Sequence, residues 1–154
     1  MGKTVSVLLK GELKEAASPL HVCAGHDAGA EAAIHAVREV FMEEETDGIL
    51  LIDASNAFNL MNSFAALHNI QITFKEISLY LLNTDSDPSR LFIRGGGDIL
   101  SLEGTTQGDP LAMPWYWVNT FILINSLRVS SPTVKQVWFT DDYAGAGRIK
   151  ALYD

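Results

Sequence analysis

Residues 134–148 read Val134-Lys135-Gln136-Val137-Trp138-Phe139-Thr140-Asp141-Asp142-Tyr143-Ala144-Gly145-Ala146-Gly147-Arg148. Val134 to Phe139 and Tyr143 to Arg148 are short runs of strand character, and the three residues between them leave room only for a tight turn. The stretch predicts a strand, a turn and a strand, with two adjacent carboxylates, Asp141 and Asp142, on the turn. Strands joined by so short a turn are antiparallel.

Working back from this hairpin, Asp109 and Pro110 supply an N-cap and a first-turn proline for a long apolar helix, Leu111 to Arg128, which Ser130-Ser131-Pro132 ends. Arg90 to Arg94 and Asp98 to Leu102 are strand-like runs around Gly95-Gly96-Gly97, where a turn needs positive φ. Thr73 and Glu76 form a capping-box pattern ahead of a helix from Phe74 to Leu82, and a short helix is expected around Ser63 to His68. Gly48 to Ala54 is a continuous apolar run that reads as a central strand buried on both faces and carries Asp53 near its end. Between Asp27 and Thr46, Ala30, Ala33, Ile34, Val37, Val40 and Phe41 recur at steps of three and four, an amphipathic helix started by Asp27. This order of elements predicts an α+β fold, a mainly antiparallel sheet with helices packed on one face.

The 154 residues, 47% hydrophobic and 19% charged, suit one globular domain, 1–154, with a sizeable core. Eleven basic against 19 acidic residues give a formal charge of −8, which excludes a stand-alone cationic nucleic-acid-binding module. The single cysteine, Cys23, cannot form an intrachain disulfide, so an intracellular location, cytoplasmic or nuclear, is expected. The apolar run from Val5 to Leu9 is too short for a signal peptide. Leu111 to Leu127 is interrupted by Pro114, Asn119, Thr120 and Asn125, so it reads as a buried helix and no membrane partner is expected. His21, His26, His35 and His68 show no metal-ligand spacing.

Three points ask for a chemical explanation: Asp53 at the end of a strand, the polar loop Glu103 to Pro110, and Asp141-Asp142 at a hairpin tip. Adjacent carboxylates repel unless a cation compensates, and the nearest basic residues to the pair are Lys135 and Arg148. A divalent cation is the natural compensator, and carboxylate oxygens suit Mg²⁺ or Mn²⁺. If the strand ending at Asp53 lies beside the hairpin, the carboxylates converge on one sheet edge. Such an edge can hold two metal ions about 3.5–4 Å apart, the arrangement of polymerases and nucleases.

Asp53-Ala54-Ser55-Asn56-Ala57-Phe58-Asn59, Gln107-Gly108-Asp109-Pro110-Leu111 and Phe139-Thr140-Asp141-Asp142 stand in the order and approximate spacing of motifs A, B and C of the reverse transcriptase palm. The chain resembles a cellular, non-viral retroelement RNA-directed DNA polymerase from about Leu20 to Gly147. The resemblance implies that Asp53 and Asp141 bind Mg²⁺ or Mn²⁺, that Asp142 completes the motif C pair, and that the main-chain carbonyl of Ala54 faces a metal. It implies that Phe58 is the steric gate against ribonucleotides and that Gln107 and Gly108 contact the incoming nucleotide and templating strand. Phe139 and Thr140 would lie beside the primer end, with threonine in place of the commoner alanine or methionine. The implied partners are an RNA or DNA template with its primer and deoxynucleoside triphosphates.

In family terms, residues 1–47 correspond to a fingers-to-palm segment and 48–148 to the palm core. The thumb and the cationic fingers are expected to be absent, which accounts for the acidic balance. Docking surfaces left open by those parts predict self-association.

Blander readings stand beside these. The aspartates can be solvated turn residues, Phe58 plain core packing, and Gln107 to Pro110 a helix-start turn. The alternative for the whole chain is a catalytically inactive retroelement remnant acting as a metal-binding or protein-interaction domain. A metal-dependent nuclease would need a histidine or a further carboxylate aimed at water, and the spacing offers none.

Overall fold

A computed structural model describes residues 2–17, 20–23, 27–106 and 108–153. Its elements run α1 Gly2–Ala17, α2 Gly29–Phe41, β1 Gly48–Asp53, α3 Ala57–Leu60, α4 Ser63–Thr73, α5 Lys75–Asp85, β2 Ser89–Phe92 and β3 Asp98–Ser101. They continue with α6 Ala112–Ser130, β4 Lys135–Phe139, β5 Asp142–Gly147 and α7 Ile149–Tyr153. The class is mixed α+β, and both sheets are antiparallel. The chain divides into two compact units, Met1–Ser6 with Asn56–Asn119, and Val7–Ser55 with Thr120–Asp154. Among the described residues no helix is long and apolar enough to cross a membrane.

The second unit holds the three-stranded sheet, in the order β1-β5-β4. Residues of one parity, Leu51, Ala144 and Val137, are register partners on one face, and α2 packs over β4 and β5 there. The other parity carries Gln136, Trp138 and Tyr143, and Ile124 of α6 packs against the Trp138–Tyr143 pair with Leu20 and Leu127 beside it. Helices therefore cover both faces of the sheet, not one as expected, because β4 and β5 are apolar on both parities. Trp138 and Tyr143 lie with ring centroids 4.7 Å apart. Buried Gln136 is satisfied: its Oε1 accepts from Trp138 Nε1 at 2.8 Å, and its Nε2 donates to the Ile124 carbonyl at 3.4 Å. Leu20 to Val22 run along the outer edge of β4, where Val22 N donates to Trp138 O and Trp138 N to Leu20 O.

The strand read over Gly48 to Ala54 forms over Gly48–Asp53, but it is an edge strand and not a central one. Its side chains are largely open, Leu51 72% and Ile52 51% exposed. The cause is topological: β5 pairs on one side of β1 and, among the described residues, no strand pairs on the other, while α2 sits over its neighbours. A cavity of about 600 Å³ remains between α2 and the sheet, lined by Ile34, Val37, Leu51, Val137 and Phe139 among others. Helix α2 is also shorter than its pattern. Asp27 pairs with Lys10 at 3.1 Å, Ala28 in the left-handed region precedes the first turn without a side-chain cap, and Glu43 to Glu45 lie beyond the helix.

In the first unit, α4 opens on Asn62, whose Oδ1 accepts from Ala65 N at 2.8 Å. The capping box predicted at Thr73 does not form. Thr73 ends α4, and its hydroxyl donates to Asn69 O at 2.6 Å, so Phe74 precedes α5 without a side-chain cap. Ile77 and Leu81 are buried as their spacing predicts, and β2 pairs with β3 around a turn with Gly95 at φ +76°. Asp109 Oδ1 accepts from Leu111 N at 2.7 Å ahead of α6, whose Trp115, Trp117 and Val118 are buried. The further half of α6 is only partly buried, with Ile122 and Leu123 about half exposed. Helix α1 is an element the sequence reading does not include, although Val5, Leu8, Leu9 and Leu13 stand at helical spacing.

Candidate functional site

The carboxylates gather at one end of the three-stranded sheet. β1 runs antiparallel to β5 from Gly48 opposite Gly147 to Asp53 opposite Asp142, and β4 closes the same hairpin with Phe139 opposite Asp142. Directly opposed residues in an antiparallel pair share a face with Cβ atoms about 4.5–5.5 Å apart, so the Asp53 and Asp142 side chains are neighbours. The turn itself is Thr140-Asp141. Asp142 belongs to the strand and not to the turn, which corrects the sequence reading by one residue. Ala54 follows Asp53 as β1 ends and is half-buried.

Electrostatics report the same convergence. The Asp142 carboxyl titrates above its ordinary value, first because it loses hydration and then because Asp141 and Asp53 repel its charged form. Among the described residues, the ion pairs use Asp27, Asp98, Glu43 and Asp47 as acidic partners, and none joins a base to Asp53, Asp141 or Asp142. An uncompensated oxygen cluster fits a hard divalent cation in its chemistry. Among the described residues no group of three or more His, Cys, Asp or Glu is placed to hold a metal ion. Mg²⁺ commonly takes one or two carboxylates and completes its shell with substrate phosphate oxygens and water, so a closed protein cage is not what this donor set calls for.

Thr140, at the first turn position, has φ +58°. Two-residue turns of this kind favour glycine there, and a β-branched residue with positive φ is strained. Its N–H donates to Cys23 Sγ at 3.3 Å, and that sulfur lies 3.2 Å from His21 Nδ1. Burial raises the Cys23 thiol above its ordinary range, with the Thr140 hydrogen bond opposing. His21 is itself buried. Sequence reading did not connect Cys23 or His21 to the hairpin, since over a hundred residues separate them and neither stands in a pattern.

The remaining motif residues lie in the other compact unit and form their own constellation. Phe58, in α3, is half-buried and stacks on Tyr116 of α6 at 4.7 Å between centroids, so it packs as well as offering an edge. Its carbonyl accepts from Thr105 N at 2.9 Å, and Gly104 N donates to Met61 O at 2.8 Å. The tail of the first motif and the loop leading into the second are thus stitched together. Gly104 has to be glycine: it sits at φ +77°, and a Cβ would collide with the Phe58 carbonyl and the Asn59 backbone. Gly108 is exposed at φ +91°. Gln107 lies outside the described residues. In the sequence Tyr116 reads as core packing at the start of a buried helix, and it is buried, stacking on Phe58; Gly104 stands in the polar loop with no role of its own assigned.

No protein-family model matches this chain, and no curated protein does.

Proposed function

We propose that this chain is the palm of a reverse transcriptase, an RNA-directed DNA polymerase that extends a primer with deoxynucleotides on an RNA or DNA template. The observation that carries the proposal is the strand register: Asp53 ends β1 opposite Asp142, with Asp141 beside it on the hairpin tip. Asp53 from one motif and the adjacent Asp141 and Asp142 from another come to one sheet end, and among the described residues no ion pair joins a base to them; carboxylates so placed are what two-metal phosphoryl transfer asks of a protein. Asp53, Asp141 and Asp142, with the Ala54 main-chain carbonyl, would hold the metal ions. When bound, the Mg²⁺ or Mn²⁺ ions lower the pKa of an attacking hydroxyl and stabilise charge on the leaving phosphate. Phe58 excludes a ribose 2′-hydroxyl, Gln107 and Gly108 contact the nucleotide and template, and Phe139 and Thr140 line the primer end.

The test is a thermal melt of the full chain with Mn²⁺, with and without a deoxynucleoside triphosphate, for wild type, Asp53→Ala and Asp141→Ala. A ligand at about 100 times its Kd stabilises by about 2.7 kcal/mol, roughly 5–10 °C for a protein this size. Wild type is expected to shift and both variants are not. An equal response of all three sinks the metal site.

A second reading draws on the exposed apolar β1 strand: a catalytically inactive remnant that binds another protein. It is favoured if the metal melt is flat and a folded chain shows no primer extension.

A further inference from the structure

We propose that Cys23 is a positioning residue for the carboxylate hairpin, its sulfur latching the Thr140-Asp141 turn in the shape that presents Asp141 and Asp142 to Asp53. The proposal rests on the metal-site reading above for its functional consequence, though not for its geometry. Residues 20–23 follow β4 upward along its outer edge: Trp138 N donates to Leu20 O, Val22 N donates to Trp138 O, and Thr140 N donates to Cys23 Sγ. The first two bonds are backbone pairings that any sequence could make. The third is a side chain reaching past the end of the strand to the turn itself.

That third bond falls where help is needed. Thr140 takes φ +58°, a conformation that disfavours its branched side chain, and such strain persists only where surrounding contacts hold it. The turn must also keep Asp141 close to Asp142 although their charges repel, and nothing basic among the described residues pairs with either. A relaxed turn would let Asp141 swing away from its neighbours. Cys23 suits the latch because a thiol half-buried beside His21 stays neutral and packs like a small apolar group while its sulfur accepts the N–H. A carboxylate in its place would add a fourth negative charge.

The experiment compares wild type, Cys23→Ala, Cys23→Val and Cys23→Ser in the full chain by residue-resolved amide exchange and by Mn²⁺ titration. Loss of one net hydrogen bond predicts that Thr140 exchange rises up to about tenfold in the alanine and valine variants. The Val22 and Trp138 amides stay within about twofold, and serine, which keeps an acceptor, returns Thr140 toward wild type. The Mn²⁺ Kd rises severalfold in the alanine variant and recovers in the serine variant. Unchanged Thr140 exchange in Cys23→Ala overturns the latch, as does a uniform rise across all sheet amides, which would mean general destabilisation. Unchanged Mn²⁺ affinity alongside a loosened turn overturns the positioning role. If wild type binds no Mn²⁺, the metal-site reading fails, and the Thr140 exchange still decides the latch.

Discussion

At the scale of single residues, the candidate site gathers carboxylates whose charges oppose one another. Asp142 starts a strand with Asp141 beside it and Asp53 across from it, and its carboxyl titrates above the ordinary 3.8. A carboxyl with a raised folded-state pKa binds more protons folded than unfolded, so stability falls as pH rises from about 3.8 through the folded value. Asp142→Asn is therefore expected to raise the melting temperature at pH 7 in metal-free buffer, and the gain should vanish below pH 3.8, where the acid is neutral in both states. Melts across that range check it; a variant that melts lower at pH 7 would show that the three charges do not oppose folding. The sequence singles out these aspartates because they stand at a strand end and on a hairpin, away from Lys or Arg along the chain, within the motif pattern. Cys23 was not legible, since its role depends only on which atom the folded chain brings to its sulfur.

Among the elements, local chemistry fixed most strands and turns, and tertiary competition decided the exceptions. The capping box at Thr73 failed because Thr73 is held in the last turn of α4, its hydroxyl donating to Asn69 O, and Phe74 takes the position ahead of α5. The loop before Gln107 holds because Gly104 lets the backbone press onto Phe58 and Asn59. Gly104→Ala places a side chain at positive φ and into that backbone, and should cost roughly 2–3 kcal/mol. Gly97→Ala, whose added Cβ meets nothing within 4 Å, should stay within about 0.5 kcal/mol. Urea unfolding followed by tryptophan fluorescence separates them, since Trp115 and Trp117 are buried in the same compact unit as Gly104; equal costs would refute the close-packed loop.

For the molecule as a whole, the apolar strand β1 is a feature open to partners. Among the described residues one of its edges is unpaired, Leu51 is 72% exposed, and apolar edges template pairing with another chain. Wild type is expected to associate with rising concentration in sedimentation velocity, and Leu51→Lys to shift it toward monomer with stability changed by no more than about 0.5 kcal/mol. A wild-type chain that stays monomeric at high concentration would count against this. By itself the sequence determined the hairpins, the amphipathic α2, the apolar α6 and the isolation of three carboxylates from basic residues, because these depend on periodicity, turn chemistry and charge spacing along the chain. Only the tertiary structure decided that β1 is an edge strand, that helices cover both sheet faces, that Asp53 stands opposite Asp142, and that Cys23 reaches Thr140. Strand order and register come from long-range pairing, and no local pattern records which neighbour a strand will find.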